Sequence, residues 1–165
     1  MLHVLSVQVR NKSGVLSRVS GLFARRGFNI DSLAVGTTEN PDMSRMTIVV
    51  EGDDRIIEQV TKQLYKLIDV VKIQDITQEP SVGRELILVK VRFTPEHRGE
   101  IMDTMLHVFR ARIVDIAVDS MMIEATGDSE KIEAMEAYLE PFGIEEMART
   151  GKVALTRGAK DGRHK

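Results

Sequence analysis

The sequence predicts an α+β protein made of two successive β-α-β-β-α-β units, and three observations carry that expectation. Apolar residues recur with a period of two, then of about 3.6, then of two again. The same order of segments returns in the second half of the chain. Between the two series lies Glu79-Pro80-Ser81-Val82-Gly83, where Pro and Gly stand together as a linker would place them.

The elements follow in order. Leu5, Val7 and Val9 alternate with Ser6, Gln8 and Arg10, as in a strand with one buried face. From Gly14 the spacing changes, and Val15, Leu16, Val19, Leu22 and Phe23 form the apolar stripe of a helix. Ser13 is the expected N-cap. Arg25 and Arg26 suit the negative end of the helix, and Gly27 stops it. Ile30 to Thr38 and Ser44 to Glu51 read as a strand pair joined by Glu39-Asn40-Pro41-Asp42. A helix opens at Gly52-Asp53-Asp54 with Ile56, Ile57, Val60, Leu64 and Leu67 on its inner face, and Val70 to Thr77 closes the unit. That order is the ferredoxin-like, split β-α-β arrangement.

Beyond the linker, Leu86 to Phe93 is a strand, and Pro95 starts a helix with Ile101, Met102, Met105, Leu106 and Phe109 inward. Ile113 to Val118 and Met121 to Ala125 are two further strands. Asp128 caps a helix carrying Ile132, Met135, Tyr138 and Leu139, which Pro141 and Gly143 end. Ile144 to Leu155 supplies the last strand. The expected domains are therefore 1–79 and 84–156, with 157–165 a mobile tail. A cut in the linker should leave an N-terminal piece that folds by itself.

Composition narrows the function. With 23 basic and 25 acidic residues among 165 the formal net charge is -2, which favours neither nucleic acid nor an anionic membrane. Cys is absent, so there is no thiolate zinc site or Cys nucleophile, and a reducing compartment fits. No apolar run approaches the ~18 residues of a membrane span. Met1-Leu2-His3-Val4 does not open a signal peptide, so a cytoplasmic protein is expected. The four His, at 3, 97, 107 and 164, lack the spacing of a metal site. Nothing resembles a phosphate loop or a nucleophile with its base. No catalytic residue and no metal ligand is expected, and the Met-rich second half reads as adaptable packing.

Two stretches remain. Asn11-Lys12-Ser13-Gly14 opens the first helix, and its backbone N–H groups could hold an anion at the helix N-terminus. Asn29 stands at the other end. A helix from Gly14 to Arg26 spans ~20 Å, so one small ligand meets both ends only if two copies contribute. Asn, Ser and Gly are also ordinary turn residues, and that plainer reading stands beside this one.

Arg10-Asn11-Lys12-Ser13-Gly14-Val15-Leu16-Ser17-Arg18 and Phe23-Ala24-Arg25-Arg26-Gly27-Phe28-Asn29-Ile30-Asp31-Ser32-Leu33 resemble an ACT domain, specifically that of the small regulatory subunit of acetohydroxyacid synthase, or acetolactate synthase. The resemblance extends over the whole chain, through Thr37-Thr38-Glu39, Arg84-Glu85-Leu86 and Gly151-Lys152. It implies a non-catalytic subunit in branched-chain amino-acid biosynthesis that raises the activity of a catalytic large subunit and confers feedback inhibition by valine. Thiamine diphosphate, Mg²⁺ and FAD would belong to that partner, and this chain would bind no cofactor. ACT domains would pair into a homodimer, with valine held by Asn11, Gly14 and Val15 of one copy and Asn29 and Ile30 of the other. The second unit has Thr94-Pro95-Glu96 at the matching turn, so no second valine site is expected there. The alternative is an amino-acid-sensing module of a transcription regulator, which the lack of a basic recognition helix disfavours.

Overall fold

The computed structural model describes residues 1–158. The chain divides into two compact units, Met1–Val82 with the described residues from Lys152 on, and Gly83–Gly151.

In the first unit, β1 (Leu2–Arg10) lies between β3 (Met43–Glu51) and β4 (Val70–Asp75), and β2 (Ile30–Thr37) forms one edge, giving the antiparallel order β2-β3-β1-β4. Alternation sends Leu5, Val7 and Val9 with Met46, Ile48 and Val50 to one face, where α1 (Val15–Arg26) and α2 (Asp54–Tyr65) cover them. From α1 come Val15, Val19, Leu22 and Phe23, each buried side chain contributing about 1.5–3 kcal/mol. Asp53 caps α2 by accepting from the Ile56 N–H at 2.9 Å. At the other end of β1, the buried His3 Nδ1 donates to Asp75 Oδ2 at 3.1 Å, tying β1 to the end of β4.

The second unit repeats the plan with β5 (Ser81–Arg92), β6 (Arg112–Ile116), β7 (Ser120–Gly127) and β8 (Ile144–Arg149) in the order β6-β7-β5-β8. Its helices are α3 (Pro95–Asp103) and α4 (Ser129–Leu139), the latter capped by Asp128 accepting from the Lys131 N–H. Ile87, Val89, Val91, Met121, Ile123, Ile132 and Met135 make its core. Arg149 donates twice to the buried Glu85, which also accepts from the Ser129 hydroxyl. Those bonds and the neighbouring charge outweigh burial and raise the Arg149 pKa above its ordinary value.

Several expectations need correction. The proposed linker is partly structured, since β5 already begins at Ser81. The helix after Pro95 ends at Asp103, and a π-turn, Thr104–Val108, takes over, leaving Leu106 42% exposed instead of buried. The expected last strand, 144 to 155, is two: β8 stops at Arg149, and β9 (Val153–Thr156) forms after Gly151-Lys152. By compactness β9 groups with the first unit. There the Arg157 N–H donates to the Pro80 carbonyl and the Lys152 N–H to the Ser32 hydroxyl. Of the tail expected at 157–165, residues 159–165 lie outside the described residues.

Candidate functional site

The turn between β1 and α1 is held by four hydrogen bonds. The Asn11 N–H donates to the Asp42 carbonyl at 2.8 Å, and Asn11 Nδ2 donates to the Pro41 carbonyl at 3.0 Å, so the β2–β3 turn holds Asn11 in place. Arg18, one turn into the helix, donates to Asp69 Oδ2 at 2.7 Å. Asp69 is buried, and its carbonyl accepts from the Arg10 N–H, closing the other side of the turn.

Gly14 is the residue that shapes the site. It stands as the N-cap of α1 with φ +84°, a left-handed conformation that costs a side-chain-bearing residue about 1–2 kcal/mol. A Cβ there would lie 3.5 Å from Arg18 Nη1, an ordinary contact, so backbone strain and not crowding demands glycine. The expected cap, Ser13, does not serve: α1 has no side-chain cap bond. An uncapped helix leaves N–H groups of its first turn for another acceptor, and the helix dipole makes an anion favourable there.

The five candidate residues differ in what they offer. Asn11 is exposed and, after its bond to Pro41, keeps a second N–H and Oδ1. Val15 is only 4% exposed and belongs to the core, so its side chain is closed to a ligand and only its backbone borders the turn. Its N–H reaches the Lys12 carbonyl at a long 3.4 Å. Asn29 is exposed, and its side chain has no partner among the described residues. Ile30 is half-buried against the core. The structure brings Asn11, Gly14 and Val15 together and leaves Asn29 and Ile30 at the far end of the 12-residue α1, ~18 Å away along its axis.

Leu16 is the residue that periodicity misplaced. It lies ~20° from Phe23 around the helix, so pattern alone puts both on the inner face. In the fold Leu16 is 46% exposed beside Gly14, an apolar surface next to the free N–H groups. Only packing could show this.

Two units of one topology, the first carrying a glycine-shaped, uncapped turn at the start of its first helix, define an ACT-type protein. The family model for the AHAS small subunit-like ACT domain matches residues 5–72, and the model described as small subunit of acetolactate synthase matches residues 84–158. The chain is 59% identical over 160 residues to the probable acetolactate synthase small subunit of Archaeoglobus fulgidus, covering 97% of this chain and 99% of that one. It is 55% identical to the acetolactate synthase small subunit of Mycolicibacterium smegmatis, covering 96% and 92%. Its fold matches the crystal structure of the acetolactate synthase small subunit from Thermotoga maritima with a TM-score of 0.88 at 45% identity, over 97% of this chain and 99% of that one. The chain belongs to the acetolactate synthase small-subunit family.

Among the described residues no group of three or more His, Asp or Glu is placed to hold a metal, and no helix is long and apolar enough to cross a membrane.

Proposed function

We propose that this chain is the regulatory, non-catalytic partner of an acetolactate synthase catalytic subunit, raising its activity and making it sensitive to valine in branched-chain amino-acid biosynthesis. Thiamine diphosphate, Mg²⁺ and FAD then belong to the catalytic subunit. The observation that carries the effector site is the pairing of a helix start without a side-chain cap at Gly14 with an exposed Asn29, its side chain without a partner among the described residues, at the opposite end of the same helix.

The carboxylate of valine suits the first-turn N–H groups of α1, helped by the helix dipole. Its ammonium suits the Asn29 side-chain oxygen of a second copy. The branched side chain suits Leu16 and Ile30, while Val15 contributes only backbone. Because the two ends are ~18 Å apart, valine joins them only where two copies meet, and a two-fold pairing gives two equivalent sites. β2 sits at the edge of its sheet, and an edge strand is a natural place for such pairing.

Pyruvate turnover by the catalytic subunit, with and without this chain and across a valine titration, tests the reading. Activation and valine inhibition should both depend on the chain; turnover by the chain alone would overturn it. For the shared site, Asn11→Ala and Asn29→Ala chains are mixed. One pocket of each mixed pair is intact, so part of the valine response should return. No recovery in demonstrably mixed pairs would refute sharing.

A further inference from the structure

Gly14 and Arg18 stand four residues apart, which puts them on one face of α1, and the first helical bond joins them, from the Arg18 N–H to the Gly14 carbonyl at 3.0 Å. Side chains on a helix lean toward its N-terminus, and Arg18 therefore reaches back over the turn. A Cβ built on Gly14 would lie 3.5 Å from Arg18 Nη1 and 3.9 Å from its Cζ, so the guanidinium sits directly beside the helix start.

That position is fixed by a partner. Asp69, the residue before β4, has its side chain 8% exposed, and its Oδ2 accepts from Arg18 Nη2 at 2.7 Å. A carboxylate so far withdrawn from water requires a counter-charge and strong donors, so the pair holds the guanidinium in one orientation. The Asp69 carbonyl accepts from the Arg10 N–H at 2.9 Å, which ties Asp69 itself to the end of β1. Asp69 occupies one corner of the guanidinium. The Arg18 side chain is 53% exposed, and its Nη1 has no acceptor among the described residues. A guanidinium carries five N–H donors and does not lose its proton, so donors remain after Asp69 is served.

We infer that Arg18 is a specificity-determining residue of the effector site: its Nη1 donates to the carboxylate of the bound amino acid, and Asp69 is the positioning residue that aims it. This rests on the effector reading given above and adds a side-chain cation to a site otherwise made of backbone N–H groups and Asn side chains. A helix start alone favours any small anion. An oriented guanidinium beside it favours a planar carboxylate, so the site takes a free amino acid and turns away its amide.

Valine and valinamide, which differ in the carboxylate, are titrated into the full-length chain by calorimetry. The natural chain should prefer valine. Arg18→Gln should weaken valine at least about ten-fold, as for one lost hydrogen bond to a charged group, and leave valinamide unchanged. Because Arg18→Gln strands the buried Asp69, it is also made together with Asp69→Asn, which leaves no unpaired charge; the preference should be lost to the same extent. Arg18→Lys keeps a charge against Asp69 without the planar fork and should give an intermediate preference. Circular dichroism reports the fold of each variant. Equal weakening of valine and valinamide would make Arg18 an anchor of the turn alone and overturn the inference, as would an unchanged preference in a folded variant. Failure of the natural chain to bind valine would instead overturn the effector reading, a result distinct from both.

Discussion

The turns after β1 and after β5 occupy the same place in the same topology and both lack a side-chain cap bond, yet they differ in backbone conformation and in the donors they present. After β1, a left-handed Gly14 opens α1 with no side-chain cap and a nearly regular helix follows for 12 residues. After β5, Thr94 is the N-cap in an extended conformation, Pro95 fills the first helical position, and α3 gives way to a π-turn after nine residues. Proline removes a first-turn N–H, so the second turn has fewer donors to present. Its surroundings are also more aromatic: Phe93, His97 and Phe142 lie around it, with His97 and Phe142 ring centroids 5.5 Å apart. A shared fold therefore does not imply a shared site; the site is local chemistry set on the fold.

Substitutions can break that contrast. The largest effect is expected from Gly14→Val, which places a β-branched side chain at φ +84° and sets it before the first-turn N–H groups. Valine binding should vanish in calorimetry, and inhibition of the catalytic subunit should vanish with it. Thr94→Val, at the matching place in the second unit, should leave the valine response unchanged; a loss there would mean that both turns serve the effector.

Next in size, Asn29→Ala should weaken valine binding about ten- to hundred-fold, from one lost hydrogen bond to a charged group. Unchanged affinity would remove Asn29 from the site.

A smaller, structural effect concerns β9. Ending the chain at Gly151 removes Ala154, which is 3% exposed, and the bond from Lys152 to Ser32. A loss of about 1 kcal/mol would lower the melting temperature of a unit this size by about 4–8 °C. The fragment 1–82 should be less stable than the same fragment joined by a short linker to 152–158. Equal melting of the two would show that β9 is dispensable to the first unit.

The smallest effect involves Asp75. Burial pushes its pKa up, but bonds from the Thr77 hydroxyl and N–H and from His3 outweigh burial and hold it below its ordinary value of 3.8. A folded pKa below the unfolded one adds stability that is present above the unfolded value and lost as pH falls through the folded one. Asp75→Asn should therefore melt lower than the natural chain at neutral pH. The gap should close only below about pH 4, as the carboxylate protonates. A gap independent of pH would assign the effect to packing.

Much of this was legible in the chain itself. The change of period at Gly14, the stop at Gly27, and the caps at Asp53 and Asp128 place both units, because strand and helix periods and cap chemistry are local properties. The glycine-bearing turn and Asn29 were also marked by residue type and position. Tertiary structure decided the remainder. Ser13 yielded the cap position to Gly14 because Asn11, held by Pro41 and Asp42 from another turn, fixes where the helix can begin. Val15 and Leu16 are equally apolar and adjacent, and only the packing of α1 on the sheet closed one and opened the other. β9, four residues long, has too little periodicity to reveal that it returns to the first unit. Those outcomes depend on residues far apart in sequence, whose contacts exist only after the sheets have formed.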